Sequence, residues 1–195
     1  MDESATARIV LASTSPRRRD LLAQAGYTFE IVAPEVDESA FSPTAGTPAQ
    51  HAEMLALAKA RSVAPHHRDA IVIGADTLVD FDGWVIGKAR DAEEAEAITR
   101  KLFSRPHKVI TGLALVRLSD GREVVGSDVT VVVPRPMTDA QIATHIAGGS
   151  WAGKAGAYAI QEDGDEFVER IEGSLTNVMG LPMEYLERQL DGFRR

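Results

Sequence analysis

Apolar and polar positions alternate along the chain in short runs, and the order of those runs predicts the elements. "RIVLAS" holds a continuous apolar run, the pattern of a strand covered on both faces. Ser15-Pro16 then reads as a helix start, with serine at the N-cap and proline at the first helical position. That helix covers about residues 17–25 and is capped by Gly26. "YTFEIVAPEVDES" is a second extended stretch running into the loop "FSPTAG", and Thr47-Pro48-Ala49-Gln50 is a capping box opening an alanine-rich helix to about residue 63.

The clearest β pattern is "AIVIGADTLVDFDGWVIG", two apolar runs around Asp82-Gly83, a dipeptide suited to a tight hairpin turn. Asp91 caps a helix to about residue 103. "HKVITGLALVRL", "SDGR" and "EVVGSDVTVVVP" form a second hairpin. A short helix over 138–147 ends at Gly148-Gly149, "AGAYAIQ" and "EFVERIEG" predict two further strands, and "PMEYLERQLDGF" a terminal helix. Helix crossovers and hairpins together predict an α/β fold around a mixed sheet flanked by helices.

The 195 residues fit one domain spanning the chain, with room for two lobes about a cleft. An apolar fraction of 44% supports a substantial core, and the net charge of −8 argues against a nucleic-acid or anionic-membrane surface. The absence of cysteine excludes disulfides, thiolate metal sites and a cysteine nucleophile. The polar opening "MDESATA", with no apolar run of membrane-spanning length, predicts a soluble cytoplasmic protein.

Within this acidic chain, Arg17, Arg18 and Arg19 crowd the positive end of a helix dipole, where each cation costs roughly 0.3–1 kcal/mol. The helix after Asp91 has the opposite order, acids first and bases last, as the dipole favours. A strand feeding a helix N-terminus is an anion-binding geometry to which arginines add bidentate donors. Three solvated arginines partly balanced by Asp20 explain the segment equally well.

Other candidates are weaker alone. Asp76 stands where the run "AIVIGA" ends, a place that suits a metal ligand or general base, although a lone aspartate more often bonds its own loop. Counting back from a two-residue turn at Asp82-Gly83 pairs Phe81 with Trp84 and Thr77 with Lys88 in strict register; a bulge at Gly87 would shift it, so the expectation is only that Lys88 lies near Asp76. Lys59 shares the helix ladder Leu55–Lys59–Val63, where it either snorkels to solvent or enters a cleft. Asp37 and Glu38 read as a solvated acidic pair unless the fold brings them to Asp76, in which case they suit Mg²⁺ or Mn²⁺. "GGSWAGKA" nearly matches a phosphate-binding P-loop, but Ala155 lacks the required hydroxyl and a helix rather than a strand precedes it. No histidine spacing suits zinc, and no serine has nucleophile-elbow context.

The ordered segments "LASTSPRRRDLL", "PEVDE", "ALAKA", "GADTLV", "GKARD", "KVITGLAL", "KAGAYAIQ" and "GSLTNVMGLP" together resemble the Maf family of nucleoside triphosphate pyrophosphatases. The resemblance implies an elongated mixed sheet of the Maf/ITPase-like kind with a nucleotide-binding cleft. It implies Asp76 as the catalytic acid–base group, Ser13, Arg18, Lys59 and Lys88 as phosphate or cleft residues, and Glu38 with Asp76 as metal ligands for Mg²⁺ or Mn²⁺. Arg17, Thr77 and Gln161 match the subgroup that acts on dTTP and UTP rather than on 7-methyl-GTP. The resemblance further implies a homodimer and leaves two alternatives: a nucleotide-binding regulator of septum formation acting through a partner, and an enzyme that removes modified nucleotides. The "GGSWAG" segment departs from the residues usual before "KAG".

Overall fold

The computed structural model describes residues 7–41, 46–158 and 167–194. Its strands are β1 (Ile9–Ala12), β2 (Phe29–Val32), β3 (Ile71–Phe81), β4 (Trp84–Ile86), β5 (His107–Arg117), β6 (Arg122–Pro134) and β7 (Val168–Glu172). The helices are α1 (Pro16–Gln24), α2 (Pro48–Val63), α3 (Ala92–Leu102), α4 (Asp139–Ala147), α5 (Leu175–Met179) and α6 (Met183–Arg194). The strands form one mixed sheet in the order β2-β1-β3-β5-β6-β7, with β4 added on β3. β1 runs parallel to β2 and β3, and every other pairing is antiparallel.

The continuous apolar run of β1 follows from its coverage. Ile9 and Leu11 face a cluster with Leu22 of α1 and Leu186, Leu190 and Phe193 of α6. Val10 and Ala12 face the alanines and Val63 of α2 on the opposite side. The Thr47 capping box forms as its residue pattern predicts, with Thr47 accepting from the Gln50 amide and Gln50 reaching back. The Asp82-Gly83 turn has positive φ at both residues, 54° and 84°, which matches the twist of the flanking strands and sets Phe81 opposite Trp84.

Two glycines bring α2 unusually close to the sheet. A Cβ on Gly74 would lie 2.1 Å from the Ala56 carbonyl oxygen, and one on Gly112 would lie 2.3 Å from that of Ala52. Ala52, Ala56 and Ala60 recur every fourth position on the helix and are fully buried there. Small residues on both surfaces therefore set the spacing that lets a long side chain of α2 reach the plane of the strands.

β3 is the strand that organises the remainder. Along one edge, Ile71–Gly74 pair with β1 and Val79–Phe81 pair with β4. Between those ladders β3 has no strand partner on that side among the described residues, while its other edge is paired with β5 from Val72 to Asp80. Asp76 and Thr77 occupy this gap. The apolar run "AIVIGA" thus ends where the pairing with β1 ends, not where the strand ends.

Other differences from the sequence pattern are local. Lys88 leaves the ladder after Val79–Ile86 and makes an isolated bridge to Ala155 instead of continuing the strict register to Thr77, yet it lines the same cavity as Asp76. The described part of "AGAYAIQ" is a turn rather than a strand, with Ala157 at φ 58°; the rest, including Gln161, lies outside the described residues. The short α5 has no apolar period of its own and is set by Ser174, whose side chain accepts from the Asn177 amide. No helix among the described residues is long and apolar enough to cross a membrane.

The close approach of α2 generates a stability test. Gly74→Ala is expected to destabilise the protein by about 1–3 kcal/mol or more, because the added methyl meets backbone atoms that cannot rotate away. Gly192→Ala, in α6 with open space around it, is expected to leave stability unchanged or to raise it by up to about 1 kcal/mol. Urea denaturation of both variants checks the contrast.

Candidate active site

The gap on the edge of β3 is the floor of a cleft approached from both faces of the sheet. α2 delivers Lys59 from one face. Its ammonium lies 2.6 Å from an Asp76 carboxylate oxygen and 2.6 Å from a Glu38 oxygen, with the lysine side chain 10% exposed. The Leu55–Lys59–Val63 ladder therefore resolves into the cleft alternative, with Leu55 and Val63 in the core and the lysine reaching past them. Glu38 arrives on a single 3-10 turn after β2, whose cap is Asp37 accepting from the Ser39 amide at 3.0 Å. Of the acidic pair, one residue caps the turn and the other enters the site.

Burial raises the proton affinity of Glu38, but the hydrogen bond and charge of Lys59, with the charges of Lys88 and Arg18, outweigh it. They hold this carboxyl below the usual glutamate range.

α1 delivers Arg18 from the other face. Its Nε donates to the Gly180 carbonyl at 2.7 Å, Nη1 to the Ser13 hydroxyl at 3.3 Å and Nη2 to the Thr77 hydroxyl at 3.1 Å. The proton order beneath it follows from the geometry. Thr111 donates to the Asn177 carbonyl at 2.9 Å, so its hydroxyl oxygen accepts the Thr77 proton at 2.9 Å, leaving Thr77 to accept from Arg18. Asn177 is itself fixed by donating to the Val109 carbonyl and the Thr130 hydroxyl. Burial lowers the proton affinity of the Arg18 guanidinium, and Arg17 adds to that, while Asp76 and Glu38 act in the opposite direction.

The start of α1 differs from a simple capped helix. Ser15 is extended, yet its side chain makes no capping bond; its N–H instead donates to the Ser13 hydroxyl at 3.2 Å. The cleft therefore opens directly on a helix N-terminus carrying Arg17 and Arg18. Arg19 turns away and pairs with the neighbouring Asp20.

Two adjoining cavities make up the cleft. The inner one, about 150 Å³, has Asp76 and Thr77 on its floor and apolar walls from Val79, Val109, Val178 and Met179. The outer one, about 570 Å³, lies before the α1 N-terminus and has Ser13 and Glu38 on its own wall. Arg17, Arg18, Lys59, Lys88 and Lys154 border both. Five cations thus face two carboxylates inside a chain of net charge −8.

The structure brings together Ser13, Arg17, Arg18, Glu38, Lys59, Asp76, Thr77 and Lys88. Lys154 is not among the residues that the sequence pattern singles out, yet it lines the cleft; its sequence signal is the "KAG" that overlaps the end of the imperfect P-loop. Thr111, Asn177 and Gly180 carry no chemistry of their own and act by fixing Arg18 and Thr77, a role that only the fold discloses. Among the described residues no group of three or more histidine, aspartate or glutamate side chains forms a ready-made metal cage.

Comparison with known proteins agrees with this architecture. A family model described as Maf-like protein matches residues 8–193. A dTTP/UTP pyrophosphatase of Ruminiclostridium cellulolyticum is 41% identical over 94% of this chain and 94% of its own. One of Pelotomaculum thermopropionicum is 44% identical over 95% and 96%, and one of Syntrophotalea carbinolica 46% identical over 92% and 84%. In fold, the chain is similar to the Ham1 protein of Staphylococcus aureus, with a TM-score of 0.54 and 13% identity over 95% of this chain and 99% of that one.

The depressed Glu38 carboxyl gives a pH prediction. Its folded-state proton affinity lies below that of the unfolded chain, so its contact with Lys59 adds stability above the ordinary glutamate range and loses it as pH falls through the folded value. Glu38→Gln is expected to lower Tm near neutral pH, with the difference from the unaltered chain closing as pH falls below the ordinary glutamate range. Thermal melts of both proteins across that range provide the check.

Proposed function

The chain belongs to the Maf family, and on that premise we propose that it hydrolyses dTTP and UTP to the nucleoside monophosphate and pyrophosphate. The observation that carries this reading is Asp76 on an unpaired strand edge, with cations of α1 and α2 brought to it from opposite faces. The apolar inner walls suit a base and sugar, and the basic outer cavity before the α1 N-terminus suits a phosphate chain. On this reading the α-phosphate lies beside Asp76, Arg18 and Lys59. The acidic remainder of the surface favours a free nucleotide over a nucleic acid.

In the proposed reaction water attacks the α-phosphorus while Asp76 accepts its proton, and the bond from that phosphorus to the oxygen bridging the β-phosphorus breaks. Lys59 keeps the Asp76 carboxylate aimed, and Arg18, held on three oxygens, meets charge growing on the phosphoryl oxygens without reorganising. Lys88 adds charge from the far wall. Arg17 and Thr77, with Gln161, are proposed to read the pyrimidine.

The site also fits Mg²⁺ or Mn²⁺, because two carboxylates already share one cation, the Lys59 ammonium, and such ions need few protein ligands beside phosphate and water. Asp76 and Glu38 would hold the ion, which when bound supplies charge neutralisation on the phosphates.

Asp76→Asn keeps the shape of the site and removes the base. It is expected to lower kcat for dTTP by about 10²–10⁴-fold while nucleotide binding, measured by calorimetry, persists. Products are identified on a panel of canonical and modified nucleotides with Mg²⁺ or Mn²⁺. Release of single phosphates would overturn the pyrophosphatase reading, and no turnover across the panel would leave a nucleotide-binding regulator as the better account.

A further inference from the structure

Of the five cleft cations, two are already committed. Lys59 is shared by two carboxylates, and Arg18 is held by three oxygens of Ser13, Thr77 and Gly180. Lys88 is exposed at the rim. Lys154 is different: it is half-buried, and among the described residues its ammonium has no hydrogen-bond or ion-pair partner. Burial lowers its proton affinity, and the nearby charge of Arg17 lowers it further. Arg17 likewise has a buried Nε with no partner. Arg17 and Lys154 thus stand close enough for their charges to repel, on walls of the same two cavities.

The turn that carries Lys154 is fixed in place. Trp151 Nε1 donates to the Ile146 carbonyl at 3.0 Å, the Gly156 amide donates to the Gly87 carbonyl at 3.1 Å, and His145 Nε2 donates to the Ala157 carbonyl at 2.9 Å. Ala155 also bridges to Lys88. A Cβ on Gly156 would come within 2.9 Å of Val79 and 3.0 Å of Leu102, so the turn sits directly on the core. A lysine on so many anchors has a set position, unlike a surface lysine free to follow solvent.

We propose that Lys154 is a further substrate-binding residue, which together with the first turn of α1 holds the β- and γ-phosphoryl groups that depart as pyrophosphate. The assignment rests on the pyrophosphatase reading above and adds a division of labour to it. Lys154 borders both cavities, but Arg18 and Lys59 are bonded to Thr77 and Asp76 and Lys154 is not. In the outer cavity, which Asp76 and Thr77 do not line, it shares the wall with the helix N-terminus whose dipole favours the same anion. Arg18 and Lys59 serve the phosphate being attacked, and Lys154 serves the one that leaves.

The test compares two products as inhibitors of dTTP hydrolysis with Mg²⁺ present. Loss of one charge-assisted hydrogen bond converts to about 10-fold or more in affinity. Lys154→Gln is therefore expected to raise the inhibition constant for inorganic pyrophosphate by at least about 10-fold, to leave that for dTMP within about 2-fold, and to raise KM for dTTP. Lys154→Arg is expected to restore pyrophosphate inhibition. Unchanged pyrophosphate inhibition in the glutamine variant, or an equal loss for dTMP, would overturn the proposal. Direct calorimetry of pyrophosphate on the unaltered protein and on Lys154→Gln reads the residue apart from turnover. A chain that binds pyrophosphate through Lys154 but hydrolyses no nucleotide would refute the catalytic reading alone, and unchanged binding would refute the role of Lys154 alone.

Discussion

One ammonium group between two carboxylates sets the geometry of the cleft. Lys59 lies 2.6 Å from both Asp76 and Glu38, and neither contact would exist if α2 stood at an ordinary distance from the sheet. Gly74 and Gly112 remove that distance by letting the backbone of α2 settle onto β3 and β5. A packing constraint in the core is in this way converted into the position of an acid at the site. Uncompensated, a carboxylate and an ammonium in so enclosed a place would be costly; paired, they hold each other in one arrangement.

The second constraint is topological. β3 changes partner along one edge, from the parallel β1 to the antiparallel β4, and neither covers the stretch between. Backbone and side chains there face a notch rather than another strand. Since successive residues of a strand point to opposite faces, Asp76 meets α2 while Thr77 meets Arg18 and the α5 turn. Adjacent positions thereby collect charged groups from two helices that lie on opposite sides of the sheet.

Local patterns made much of this fold legible. The double positive-φ turn at Asp82-Gly83 was readable because only certain residues adopt it, and the register up to Ile86 followed by counting. Counting reaches only the nearness of Lys88 to Asp76, because β4 stops before it and the chain turns to meet Ala155, a long-range bridge with no local signal. The reversed charge order of α1 was legible as an anomaly, but its two explanations separated only when Arg18 was seen bound under the cleft and Arg19 paired with Asp20. Thr111 and Asn177 gave no signal, since a buried threonine in a strand and an asparagine in a short helix are ordinary until a hydrogen-bond chain joins them to Arg18.

The near match to a P-loop shows why a motif and its chemistry are separable. In a P-loop, one strand–loop–helix segment supplies both the backbone amides and the lysine for phosphate. Here the segment before Lys154 follows α4 and cannot supply that backbone, so rejecting the motif was sound. The fold nevertheless provides the two components from separate places: a helix N-terminus at α1, and a lysine on a turn anchored to Gly87 and α4. On the proposed assignment these parts meet across the outer cavity around one phosphate chain. Arg18, a cation in the first turn that opposes the α1 dipole, then belongs to the same design, because a cation at that terminus is unfavourable only until an anion lies beside it.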